Sequence, residues 1–225
     1  MDSSASNPRS GPGASQALPK AYAARSERER LLEAMVRVAA AKGYETTGVA
    51  DVIEAAAVSR ETFDAMFASR EACFLEAYDA VLDVLIAHVS AAFESTDGEP
   101  WPDRILAVLS ALVDLLASEH EIARMAMVEV TAVGEDARTR YRAALGRFTY
   151  FLEEGRNASP QGEELPPDTA RFAIGGATSM IFDEVRAGRG PELRRLLPDL
   201  LFAVLMPYIG PEAAEDEMRR VAREG

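Results

Sequence analysis

Residues 46–75 constrain this chain more than any other stretch. They read as two short helices joined by a tight turn, followed by a longer helix. Thr47 is placed to cap the first helix, with Val49, Val52 and Ile53 facing inward. Ala57 and Val58 make the turn. Ser59 caps the second helix, where Phe63 and Phe67 share a face at i,i+4 and leave Arg60, Glu61, Thr62 and Asp64 mainly outward. A short helix with a polar outer face, held by a partner across a tight turn, is the geometry by which a helix-turn-helix offers a reading surface to a DNA major groove.

The rest of the chain carries helical spacing and no strand alternation, so the fold class is all-α. Residues 1–24 are rich in Ser, Gly, Pro and Ala and predict a disordered arm. A first helix runs from about Ser26 to Lys42 and ends at Gly43. It and the two short helices form a unit over 25–70, with the helix-turn-helix at about 47–67. Residues 71–210 form a larger helical domain. Its first helix, 71–94, shows a stripe of Phe74, Tyr78, Val81, Leu85, His88 and Ala92. Helices follow at 101–117, 119–130, 134–156 and 167–187, and a last long one over 191–210 that Pro198 kinks or starts. Residues 211–225 read as a charged tail.

The net charge of −13 at first argues against nucleic acid. Its distribution changes that: residues 1–70 are balanced, neutral rather than basic, so nonspecific DNA affinity is expected to be modest, and the whole excess lies in 71–225. The single cysteine, Cys73, excludes an internal disulfide framework and suits a reducing cytoplasm, where it reads as a buried structural thiol. No apolar run reaches the length of a membrane span, and no signal-peptide core is visible. His88 and His120 have no neighbouring His or Cys at metal-ligand spacing, and there is no Walker loop, GxGxxG or GxSxG. Neither metal, cofactor nor enzymatic activity is expected.

Several pairs and runs fall in a fixed order: Gly43-Tyr44, Thr46-Thr47, Val52-Ile53, Val58-Ser59-Arg60, Thr62-Phe63, Phe67 and Ser69-Arg70-Glu71. This set resembles the DNA-binding region of the tetracycline-repressor (TetR) family. The resemblance implies an all-helical homodimer whose amino-terminal domain binds a palindromic DNA operator. It also implies a carboxy-terminal domain that binds a small molecule and releases the DNA. Residues expected at the DNA are Thr46, Thr47, Gly48, Ser59, Arg60, Glu61, Thr62, Asp64 and Arg70. Three positions depart from the family pattern. Asp64 stands where a phosphate-contacting Tyr is usual, Ala57 where a turn Gly is common, and Arg70 where Lys is usual. A carboxylate at position 64 either repels phosphate or accepts a hydrogen bond from a cytosine amino group.

In the family the last two long helices pair with their symmetry mates as a four-helix bundle. Here Gly175, Gly176 and Ser179 permit close helix approach, and Leu197, Leu200, Leu201 and Val204 supply apolar surface, so these residues are the expected dimer interface. Candidates for an effector pocket are His88, Phe93, Trp101, Met125, Met127, Glu129, Phe148, Phe151, Phe172 and Met180. Glu129 shares a face with Ile122 and Met125; if buried it needs a partner, which a cationic ligand could supply. The function expected is a ligand-responsive transcriptional regulator, a repressor released by a small hydrophobic effector. The alternative is a protein-interaction or ligand-sequestering module on a degenerate TetR-like scaffold.

Overall fold

Ser26 opens helix α1 (Glu27–Lys42) with a reciprocal cap. Its hydroxyl accepts from the Glu29 N–H at 3.2 Å, and the Glu29 carboxylate accepts from the Ser26 N–H at 2.9 Å. The computed structural model describes residues 26–159 and 162–224, so the arm expected over 1–24 lies outside the described residues. Gly43, at φ 85°, ends α1 and turns the chain toward α2 (Val49–Ala56) and α3 (Arg60–Met66). Leu31, Met35, Tyr44, Val52, Phe63 and Phe67 form the core of this three-helix unit. Thr47 does not cap α2. It is fully buried, and its hydroxyl donates to the Gly43 carbonyl at 2.8 Å, back at the end of α1. The α2 cap is Gly48, whose N–H goes to the Asp51 carboxylate at 2.6 Å. The Lys42 ammonium, and then that N–H, hold the Asp51 carboxyl below its usual range.

Ala57 closes α2 in the left-handed conformation, at φ 53° and ψ 51°, and is the one non-glycine residue with positive φ among the described residues. Its N–H and that of Val58 tie off the last carbonyls of α2, so the turn is held by backbone hydrogen bonds despite the steric cost of a Cβ.

Helix α4 (Arg70–Ser95) leaves the three-helix unit and runs into the second domain. Its buried stripe starts as expected with Phe74, Tyr78, Val81 and Leu85, then continues through Val89 and Phe93. His88 is therefore exposed, a correction to the expected stripe. From Leu85 the helical repeat permits either position 88 or 89 inward, and packing against α5 (Trp101–Ser118) selects the β-branched apolar residue. Cys73 lies inside this helix with its thiol pushed up to about 12, first by burial and then by the nearby Glu76, which makes it an inert structural thiol.

The second domain continues with α6 (His120–Met127) and a 3-10 turn at Glu129–Ala132. Then come α7 (Glu135–Arg147), α8 (Thr149–Ala158) and α9 (Thr169–Arg186), followed by α10 (Leu197–Ile209) and α11 (Pro211–Glu224). The continuous helix expected over 134–156 is broken at Phe148 into α7 and α8. Pro198 sits in the first turn of α10, where its missing N–H costs nothing, and the preceding residues Gly190–Leu196 form a 3-10 segment. Residues 211–224 are no tail: α11 packs on α10, burying Ala214 and Val221, and Arg220 donates to Asp103 of α5 at 2.6 Å. Among the described residues there is no strand, and no helix is long and apolar enough to cross a membrane.

Because Ala57 holds a left-handed conformation that glycine adopts without strain, Ala57→Gly should stabilise the protein by about 1 kcal/mol. Thermal unfolding is expected to show a rise of roughly 2–4 °C. An unchanged or lower melting temperature would mean that the turn carries no such strain.

Candidate functional site

Helix α3 is held from beneath and presented outward. Its Ser59 hydroxyl accepts from the Thr62 N–H at 3.1 Å and lies 3.1 Å from the Thr62 hydroxyl, so the cap fixes both side chains. Phe63 and Phe67 bury the inner face, their ring centroids 5.5 Å apart. Arg60, Glu61 and Asp64 are exposed, and Thr62 is half-buried. Thr46 is exposed at the α1–α2 turn, with its hydroxyl donating to the Lys42 carbonyl at 2.6 Å. Gly48 is half-buried at the α2 start. The Arg60 Nε donates to both carboxylate oxygens of Asp64 at 2.9 Å, so the unusual carboxylate is neutralised one turn away on its own helix.

Two residues expected at the DNA act inside the protein instead. Thr47 is buried beneath the turn. Arg70 is half-buried, and its guanidinium lies over the Tyr44 ring at 4.2 Å. It donates to the Tyr44 carbonyl at 3.2 Å and to the Thr47 carbonyl. Arg70 thus pins the 43–47 turn to the first turn of α4.

Tyr44 joins the two domains. Its ring packs edge-on against Phe74 at 4.8 Å. Its N–H donates to the Glu129 carboxylate at 2.8 Å, across 85 positions of sequence. The other Glu129 oxygen accepts from Arg124 at 2.5 Å. Glu129 is only 4 % exposed, so the buried carboxylate is satisfied by an arginine and a backbone amide rather than by a ligand. The sequence marks Gly43-Tyr44 as a turn and Glu129 as a charge on an apolar face. Nothing in it pairs the two.

An apolar cavity of about 70 Å³ lies between α5 and α7–α10. Ile105, Leu109 and Leu112 wall one side, Phe148, Phe151 and Leu152 another, and Ile174, Ala177, Thr178 and Ile181 of α9 a third. Met127, the last residue of α6, also reaches it. Of the expected lining, Met127, Phe148 and Phe151 take part. Trp101 instead donates its indole N–H to the Phe151 carbonyl at 3.1 Å and lies flat on Gly155, where a Cβ would come within 2.4 Å of the ring. Phe93 packs edge-on to Phe151 at 5.2 Å and beneath Arg104. Met125 is fully buried away from the cavity, Met180 is half-buried outside it, and Phe172 is 78 % exposed on α9. His88 and Glu129 also lie outside it. The cavity's aliphatic walls were legible only as ordinary core, because a cavity wall and a packed core share one composition.

A larger groove, about 560 Å³, lies among α5, α10 and α11, rimmed by Arg194 and Arg195. Both arginines are already paired, Arg194 with Asp114 at 2.5 Å and Arg195 with Glu184 and Glu192. That leaves the smaller apolar cavity as the better ligand site.

The expected dimer residues divide. Gly175, Gly176 and Ser179 are exposed on α9, and a Cβ at either glycine would meet nothing within 4 Å. Leu197, Leu200, Leu201 and Val204 are buried within the chain, a correction to their expected place at an interface. The reason is α11 together with α5 and α9, which cover three sides of α10 and take up its leucines. What α10 leaves outward is Asp199, half-buried Phe202 and Met206.

Removing the Glu129 carboxylate should leave Arg124 unpaired and the Tyr44 N–H without its acceptor. Glu129→Ala is expected to cost about 2–3 kcal/mol in urea unfolding. Glu129→Gln, which keeps an acceptor for the amide, should cost about half as much. Equal losses for the two would show that packing rather than hydrogen bonding is at stake.

Residues 31–77 match the family model described as bacterial regulatory proteins, tetR family. No curated protein matches the sequence. The fold is similar to the fatty acid degradation regulator FadR from Bacillus halodurans, with a TM-score of 0.68 and 18% identity, over 80% of this chain and 95% of that one. It is also similar to FadR from Bacillus subtilis in complex with stearoyl-CoA, with a TM-score of 0.66 and 18% identity, over 80% and 98% of the two chains. A putative tetR family regulator from Shewanella sp. PV-4 gives a TM-score of 0.65 at 14% identity, over 82% and 97%. The matched region spans α1 to the first part of α4, the helix-turn-helix and its supports. Residues 31–77 thus carry a tetR-family DNA-binding unit, and the helical domain behind it shares the fold of the tetR-family regulator from Shewanella.

Proposed function

We propose that the chain is a homodimeric repressor that leaves its operator when a compound with a flexible apolar chain enters the cavity between α5 and α7–α10. The observation that carries this reading is α6. Its last residue, Met127, reaches the cavity, and two positions on Glu129 holds the Tyr44 N–H of the DNA-binding unit. At about 70 Å³ the cavity is far smaller than the roughly 300–1,000 Å³ of ordinary ligand sites, so an effector has to open it. Opening displaces α7–α9 or α6, and a displaced α6 pulls on the 43–47 turn and so on α3. Linkage then requires that effector and operator weaken each other's binding equally.

The cavity wall supports an uncharged chain. Thr178 is its one side chain with a hydroxyl, and no ionised group lines it. Glu129, which invited a cationic ligand, is committed to Arg124 and Tyr44. The acyl chain carried by the FadR of Bacillus subtilis is of the chemical kind that such a wall accepts. The interaction-module reading rested on Asp64 and on the neutral charge of the amino-terminal unit; Arg60 offsets the charge of Asp64.

Two experiments follow. Titrating stearoyl-CoA and free stearate should raise the melting temperature, weaken operator binding at least tenfold and change the emission of Trp101, whose indole hangs on Phe151 of the cavity wall. Ala177→Leu, which puts side-chain carbon into the cavity, should abolish all three responses. If neither compound alters stability or operator affinity, the acyl-chain effector is wrong. For the dimer, exposed Phe172, Gly175, Gly176 and Ser179 of α9 with Phe202 and Met206 of α10 form the proposed twofold surface. Phe172→Glu combined with Gly176→Leu should sediment as a folded monomer with operator affinity lost. A wild-type monomer at micromolar concentration would sink the two-half-site arrangement.

A further inference from the structure

The recognition helix carries an arginine that is aimed rather than free. Arg60 is the first residue of α3 and Asp64 lies one turn later. The contact between them is specific in its atoms: Nε alone donates, to Oδ1 and Oδ2 equally, at 2.9 Å. Among the described residues no acceptor is recorded for the two terminal guanidinium nitrogens of Arg60. Both side chains are more than half exposed, 63 % and 54 %, while Phe63 on the same helix is buried. A carboxylate that holds Nε restrains the long side chain and leaves its two terminal N–H groups available to an outside acceptor.

We propose that Arg60 reads a guanine in each operator half-site and that Asp64 is the positioning residue that aims it. Two N–H donors in a planar fork match the O6 and N7 acceptors on the major-groove edge of guanine. A phosphate would also accept from Arg60, but it would bring its charge beside Asp64, and that repulsion disfavours the backbone as the target. A guanine edge carries no net charge, so the Arg60–Asp64 pair survives the docking. Asp64 therefore lowers nonspecific affinity and raises discrimination, and the departure at this position is a trade of phosphate contact for base reading. This inference rests on the reading of the chain as an operator-binding dimer.

The test uses the full chain. Selection from a randomised duplex library should return, for wild type, one invariant guanine per half-site whose replacement by 7-deazaguanine weakens binding about tenfold or more. Asp64→Ala should cut the discrimination at that position about tenfold, tighten binding to scrambled duplex and steepen the dependence on salt, because it unleashes a cation and removes an anion. Arg60→Lys, which lacks the fork, should lose the guanine preference while keeping affinity for scrambled DNA. Both positions are exposed, so melting temperatures close to wild type serve as the folding control. If the selected operator and its discrimination are the same in wild type, Asp64→Ala and Arg60→Lys, the inference is overturned while the repressor reading stands. If wild type selects no sequence at all, the operator-binding reading falls and this inference with it.

Discussion

The hydrogen bond from the Tyr44 N–H to the buried Glu129 carboxylate is the contact on which the arrangement of the two domains depends. Each partner needs the other. Gly43 ends α1 with a turn that leaves the Tyr44 amide facing the second domain, and a carboxylate only 4 % exposed needs hydrogen-bond donors from the protein. Arg124 supplies one donor and Tyr44 the other. From the opposite side Arg70 takes the Tyr44 and Thr47 carbonyls and covers the Tyr44 ring. The 43–47 turn is thus fixed at once by the head of α4 and by the end of α6. In the proposed mechanism, a movement of either helix relative to the other would be transmitted through this turn to the start of α2 and from there to α3.

That geometry explains how a chain with so much negative charge can address DNA. The acidic excess resides in residues 71–225, and the reading unit in front of it is balanced. Balance at the surface also has a local form. Arg60 is paired with Asp64, and Lys42 with Asp51 at 2.6 Å. Among the described residues these pairings leave fewer cations for indiscriminate phosphate binding, which shifts weight to shape, helix ends and base contacts. The cavity is a small apolar void between packed helices, and its walls meet α6 at Met127.

Legibility in the sequence varied with the range of the interaction that decides each feature. The helix-turn-helix was legible because local signals agree: the Ser59 cap, the Phe63–Phe67 spacing and the turn at Ala57. At Pro198 the local signal left a kink and a helix start both open, and the structure has the start, at Leu197. His88 was misplaced because periodicity near 3.6 cannot choose between positions 88 and 89, and only the approach of α5 does. The leucines of α10 were assigned to a partner chain because α11 had been read as a tail. Once Ala214 and Val221 pack on α10, the chain itself covers them.

The sequence by itself determined the helical class, the reading helix and its outward residues. Each follows from residues within a turn or two of one another, where propensity, capping and amphipathic period act directly. Only the tertiary structure decided which buried polar group meets which donor, which aromatic residues wall a void, and which apolar stripes stay uncovered. Glu129 with Tyr44, Trp101 with Phe151 and Asp64's grip on the inner edge of Arg60 are matters of distance and direction in space. Packing sets these, and the same residues at the same spacing would permit other pairings if α6 or α11 lay elsewhere.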